Sequence, residues 1–72
     1  MLKKRSFNIA GHRTSVALEP EFWAVIEADA TRRQISLSAF VAKVDAARGE
    51  QALASALRIE ALAAAALNTP PQ

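Results

Sequence analysis

The chain has no cysteine and a single histidine, so neither a disulfide framework nor a His/Cys zinc site can hold it together. No run of about 18 apolar residues is present to span a membrane. The basic start is not followed by the apolar segment of a signal peptide, so a cytoplasmic protein is expected. No Walker loop, GxSxG sequence, internal repeat or metal-ligand spacing occurs. Convergent catalytic groups are also missing, and 72 residues are too few to enclose a substrate pocket, so neither an enzyme nor a cofactor is expected. A single small domain of this length buries little surface by itself. With disulfides and metals excluded, oligomerisation is the remaining route to stability.

What is present centres on residues 12–23, HRTSVALEPEFW. Thr14, Val16 and Leu18 fall on one face of an alternating strand and Arg13, Ser15 and Ala17 on the other, the period of two that marks a half-buried strand. Glu19 and Pro20 close it, because proline cannot donate to a strand ladder but fits the first position of a helix. The net charge of +2 is unevenly spread. Residues 1–18 hold Lys3, Lys4, Arg5 and Arg13 with no acid, a charge of +4, and the remainder holds five bases against seven acids, a charge of −2. A positive N-terminal segment on a near-neutral body fits contact with phosphates, or simply a solvated terminus.

Taken in order, residues 1–5 form a short basic arm with nothing to bury, expected to be mobile. Ser6 to Ala10 alternates again, with Phe7 and Ile9 apolar, before Gly11 interrupts. The apolar positions are odd before Gly11 and even after it. Gly11 is therefore either a bulge in one long strand, keeping Phe7, Ile9, Thr14, Val16 and Leu18 on one face, or part of a Gly11-His12 turn between two strands. Such a turn would set Phe7 against Val16 and Ile9 against Thr14. His12 has no serine, cysteine or carboxylate constellation beside it and supports neither catalysis nor a metal site.

A first helix is predicted from Pro20 to Arg33. Phe22, Trp23, Ile26 and Ala30 form its apolar stripe, and Glu21, Glu27, Asp29 and Arg32 its polar side. Gln34-Ile35-Ser36 is the turn, with Ser36 as N-cap and Ile35 as the packing residue before it. A second helix follows from Leu37 to Arg48, with Leu37, Phe40, Val41 and Val44 on one face and Gly49 as its stop. The amides at its start and the hydroxyls of Ser36 and Ser38 suit either capping or a phosphate. Residues 50–67 are alanine-rich and predict a third helix, with Leu53 and Leu57 on one face extended by Ala61 and Ala64. This helix is expected to pack on a dimer or another subunit. Asn68 to Gln72 is a stop followed by a flexible tail.

The run TSVALEPEFWAVIEADATRRQISLSAFVAKVDAAR resembles the ribbon-helix-helix proteins, and the fuller opening KRSFNIAGHRTSVALEPEFW looks like a bacterial subfamily of them. The resemblance implies a mainly α fold with one β-strand per chain. Two chains would join as a ribbon-helix-helix homodimer through an intermolecular antiparallel two-stranded ribbon, with an additional C-terminal helix. The domain would span 6–48, between the arm 1–5 and the extra helix 49–67, with the tail at 68–72. The ribbon would enter the major groove of double-stranded DNA, with Arg13, Ser15 and Ala17 at base edges. Lys3, Lys4, Arg5, His12, Ser36, Leu37 and Ser38 would be the phosphate contacts. Val16, Leu18, Phe22, Trp23, Ile26, Ile35, Phe40, Val41 and Val44 would form the dimer core. Ala17 departs from the usual polar residue, and Gln34 from the glycine often found in such turns. If Gln34 adopts a left-handed backbone, the strain is about 1 kcal/mol. The expected function is sequence-specific transcription regulation by a homodimer or a tetramer of it. The alternative is a protein-interaction module, an antitoxin or assembly adaptor, using helix 51–67.

Overall fold

The parity switch at Gly11 is a two-residue turn. In the computed structural model, which describes residues 1–68 and side chains as far as residue 66, Ala10 and Gly11 have φ values of 53° and 80°. Two successive left-handed residues make the type I′ turn, whose twist matches that of the strands it joins. The turn connects β1 (Lys3–Ile9) to β2 (His12–Leu18) as an antiparallel pair, with Ile9 opposite His12, Phe7 opposite Thr14, Arg5 opposite Val16 and Lys3 opposite Leu18. The turn therefore lies one residue earlier than the Gly11-His12 alternative, and Phe7 does not face Val16. Glycine takes the second turn position, where this turn type favours it.

Three expectations change with this hairpin. The chain has two strands rather than one, and the ribbon expected between two chains is closed within a single chain. A two-residue connection brings β1 back with almost no loop to close, so the local pairing carries little entropic penalty. The basic arm is also mostly strand, since β1 begins at Lys3. Trp23 fastens it: its indole N–H donates to the Lys3 carbonyl at 2.7 Å.

α1 (Pro20–Arg32) starts at the expected proline and carries Glu21 in its first turn and Arg32 in its last, both complementary to the helix dipole. It ends in a Schellman arrangement: Ile35 N–H donates to the Ala30 carbonyl and Gln34 N–H to the Thr31 carbonyl, each at 3.0 Å. That pattern needs a left-handed residue in between, and Gln34 takes it with φ 60°. α2 (Leu37–Ala47) is capped by Ser36, whose hydroxyl accepts from Ala39 N–H at 3.0 Å. Gly49, at φ 61°, turns the chain after α2.

α3 (Leu53–Asn68) begins three residues later than expected. The segment before it is held as a turn by Arg48, whose Nε donates to Asp45 and whose terminal nitrogen donates to the Gln51 carbonyl, both at 2.7 Å. Asn68 closes this helix, and the rest of the expected tail, residues 69–72, lies outside the described residues. α3 packs on α1, α2 and β2 of its own chain. Its face of Ala56, Leu57, Ala61 and Ala64 is buried, with Leu53 half-buried beside it.

The core lies between the hairpin and the three helices. Leu18, Trp23, Ile26, Phe40, Val41 and Leu57 are essentially inaccessible, and Phe7, Ile9, Val16 and Val44 surround them. The Phe7 and Trp23 rings sit 6.1 Å apart in a tilted arrangement. Of the residues expected in a dimer core, Val16, Leu18, Trp23, Ile26, Phe40, Val41 and Val44 are thus buried within one chain, and Phe22 and Ile35 are half-buried against it. Asp29 is a further correction. Expected on the polar side of α1, it is fully buried and ion-paired with Arg32 and, at 2.9 Å, with Arg33. Its position, three residues after Ile26 and seven after Phe22, lies on the apolar stripe of the helix, and the two arginines one turn further on neutralise it there.

Candidate nucleic-acid interface

A hairpin has two faces, and here they differ sharply in chemistry. The inner face sets Phe7 and Ile9 of β1 beside Val16 and Leu18 of β2, all buried. The outer face carries Lys4, Ser6 and Asn8 from β1 and Arg13, Ser15 and Ala17 from β2. It holds two cations and no acid.

The pairing register arranges these six side chains in three cross-strand rows: Asn8 with Arg13 nearest the turn, Ser6 with Ser15, and Lys4 with Ala17. Residues flanking a two-residue turn exchange both backbone hydrogen bonds, so the three outer rows are the closer, non-hydrogen-bonded pairs. The serine hydroxyls confirm that closeness, with their Oγ atoms 2.9 Å apart. Arg13, Ser15, Ser6, Asn8 and Lys4 are exposed, and Ala17 is half-buried.

The other residues expected at phosphates are dispersed. Lys4 joins the outer face, but Arg5 belongs to the inner one. Its guanidinium lies 5.0 Å from the centre of the Trp23 ring and pairs with Glu27 at 2.6 Å. His12 is exposed at the turn end of β2, bordering a cleft with Ile9, Thr14, Asp45, Arg48 and Leu53. Ser36 and Ser38 are exposed and Leu37 half-buried at the start of α2, where the Ser36 hydroxyl is already engaged as cap. A second cleft, between α2 and α3, is bordered by Arg33, Phe40, Lys43, Arg48 and Glu60. Two of its three cations are committed: Arg33 to Asp29 and the Phe40 ring, and Arg48 to Asp45.

Ser6 and Asn8 were missed as interface residues by sequence reasoning. The signal was the alternation of polar Ser6 and Asn8 with apolar Phe7 and Ile9, which on a hairpin turns both polar side chains to the same side as Arg13 and Ser15.

Glu19, at the junction of β2 and α1, ties this site to α3. Arg58 donates to its Oε1 through Nε and a terminal nitrogen, each at 3.0 Å. A hydrogen bond from its own backbone N–H, followed by the bond from Arg58, holds the Glu19 carboxyl below the usual glutamate range. The Arg58 guanidinium also lies 5.8 Å from the Phe22 ring centre.

A polar-faced ribbon leading through a proline into two helices, the second capped by Ser36, defines a small ribbon-and-helix class of fold. Residues 2–65 match the ribbon-helix-helix domain, and the chain belongs to that family. Members are in general DNA-binding transcription regulators that usually bind as dimers and are typically non-enzymatic. No curated protein and no solved structure matches the chain. No helix among the described residues is long and apolar enough to cross a membrane.

Proposed function

We propose that the protein is a sequence-specific DNA-binding transcription regulator of a bacterial cytoplasm, without catalytic activity, that lays the outer face of its hairpin in the major groove. The observation that carries this reading is the acid-free outer face, on which Arg13 and Ser15 stand exposed above an apolar inner face. The groove, about 12 Å wide, admits a two-stranded ribbon. Arg13 would donate two bonds to a guanine, Ser15 would bond to a neighbouring base, and Ala17 would touch a thymine methyl. Lys3, His12 and the start of α2 would then serve phosphates. A homodimer, or a tetramer of it, would place two such hairpins on separate half-sites.

Arg13→Ala should weaken binding to the preferred duplex by about 1–3 kcal/mol and relax selection at one base pair. Fluorescence-anisotropy titration of a selected duplex and its single-base variants checks this. Unchanged affinity and selectivity would remove Arg13 from the interface.

A second reading rests on α3. Ile59 and Leu62 are 54% and 62% exposed on the side away from the core, an apolar strip open to a protein partner. Leu57, by contrast, is spent inside the fold, so a charge placed there would disrupt folding rather than probe a partner. Leu62→Asp tests the strip; loss of assembly in light scattering with DNA affinity retained would assign it to protein contact.

A further inference from the structure

The cleft between α2 and α3 has a volume of about 300 Å³, at the lower end of the range for small-molecule sites. One part of its lining is apolar, where Val44 and Ala47 of α2 meet Ala56 and Ile59 of α3. Ile59 is 54% exposed, so an apolar side chain of the lining stands open to water. The cleft shares no residue with the outer face of the hairpin, and a role for it is independent of DNA binding.

The charges around this lining cancel in pairs. Arg33 is held by the fully buried Asp29 at 2.9 Å and lies 5.3 Å from the centre of the Phe40 ring. Arg48 is held by Asp45 and by the Gln51 carbonyl, each at 2.7 Å. Lys43 of α2 and Glu60 of α3 remain. Both border the cleft, and neither has an ion-pair partner among the described residues. The cleft thus presents one uncommitted cation and one uncommitted anion, from its two helices, beside an apolar surface.

We infer that the cleft is a binding site for a small zwitterion with an apolar side chain, in chemical terms an apolar α-amino acid. Lys43 meets its carboxylate, Glu60 accepts from its ammonium group, and Val44, Ala56 and Ile59 cover its side chain. Arg33 and Arg48 are 40% and 34% exposed and already fixed by their own carboxylates, so adding their spare N–H groups to the carboxylate costs little further ordering. A simple anion fits less well. An acidic peptide or a nucleotide calls for surplus positive charge, and here every cation has its acid. An uncharged apolar ligand leaves Lys43 and Glu60 without use. A ligand bridging these two residues ties α3 to α2. Because α3 also holds Glu19 through Arg58, such a ligand stabilises a helix that is fastened to the strand–helix junction.

The test is titration calorimetry of the full chain with phenylalanine and with leucine. Each is compared with the acid that lacks its amino group, phenylpropionate or isocaproate, and with the amine that lacks its carboxylate, phenethylamine or isoamylamine. At least one amino acid should bind saturably, about 10- to 150-fold tighter than its acid or its amine. Glycine, which has both charges and no apolar body, should bind at least about tenfold more weakly. Glu60→Gln should erase the advantage over the acid, and Lys43→Gln the advantage over the amine. Lys43 is exposed and Glu60 half-buried, and circular dichroism verifies that each variant is folded. The inference is overturned if neither amino acid binds saturably up to about 10 mM. An acid that binds as tightly as its amino acid also overturns it, by making the cleft an anion site. So does an amino-acid affinity that survives either substitution, which would place the ligand elsewhere.

Discussion

Ala10 and Gln34 hold left-handed backbones without being glycine, and each does so because a neighbouring pattern requires it. Ala10 is the first position of the type I′ turn, and Gln34 sits between the two hydrogen bonds that end α1. The β-carbon costs about 1 kcal/mol at such a position. Gln34→Gly should therefore raise the melting temperature by about 4–8 °C in a chain of this size, less whatever the added freedom of the unfolded glycine removes. A thermal melt followed by circular dichroism measures it, and a lower midpoint would show that the Gln34 side chain makes a stabilising contact. The resemblance to ribbon-helix-helix turns, which often carry glycine here, pointed to this residue. The burial of Asp29 was legible in the spacing, since Asp29 lies three residues after Ile26 and seven after Phe22 on the apolar stripe of α1, but its charge argued for the polar side until Arg32 and Arg33 paired with it.

At the scale of elements, α1 and α2 were readable to within a residue. Their limits are set locally, by Pro20 and by the Ser36 cap. The outward set of Arg13, Ser15 and Ala17 was readable too, from alternation alone. β1 was harder. Lys3, Lys4 and Arg5 look like a solvated arm until Trp23 receives the Lys3 carbonyl and the Arg5 guanidinium, contacts made across 20 residues of chain in the first case. α3 depends on a similar distant fastener, the Glu19–Arg58 pair, 39 residues apart. Folding favours the ionised form of Glu19, whose carboxyl is held below its ordinary range. The stability it contributes is present above that range and is lost as the pH falls through its lowered folded-state value. Glu19→Gln should therefore flatten the dependence of stability on pH between about pH 5 and about pH 3. Urea melts of the two proteins across that interval check it. Parallel profiles would mean that Arg58 serves Phe22 alone.

At the scale of the whole molecule, the main departure from expectation is that the core closes inside one chain. A small protein without disulfides or metal was expected to gain its stability from a second copy. Within the chain, β1 and α3 cover the core, with Phe7, Ile9, Leu57 and Ala61 all buried. A fold whose core is shared between chains melts at a temperature that rises with protein concentration. For this chain the midpoint should stay nearly constant across a wide range of concentration, even where light scattering finds dimers. A midpoint that climbs steadily with concentration would show that assembly and folding are one event.

Trp23 is the only tryptophan in the chain, and its ring is 1% exposed behind the hairpin, with its N–H bound to Lys3. The molecule thus carries one indole, set at the seam between sheet and helix and screened by the sheet from anything lying on the outer face. Its emission should be blue-shifted in the folded chain and shift to the red when β1 peels away. A duplex docked on the far side cannot stack on it, so the same signal gauges the integrity of the hairpin during a DNA titration without an attached label.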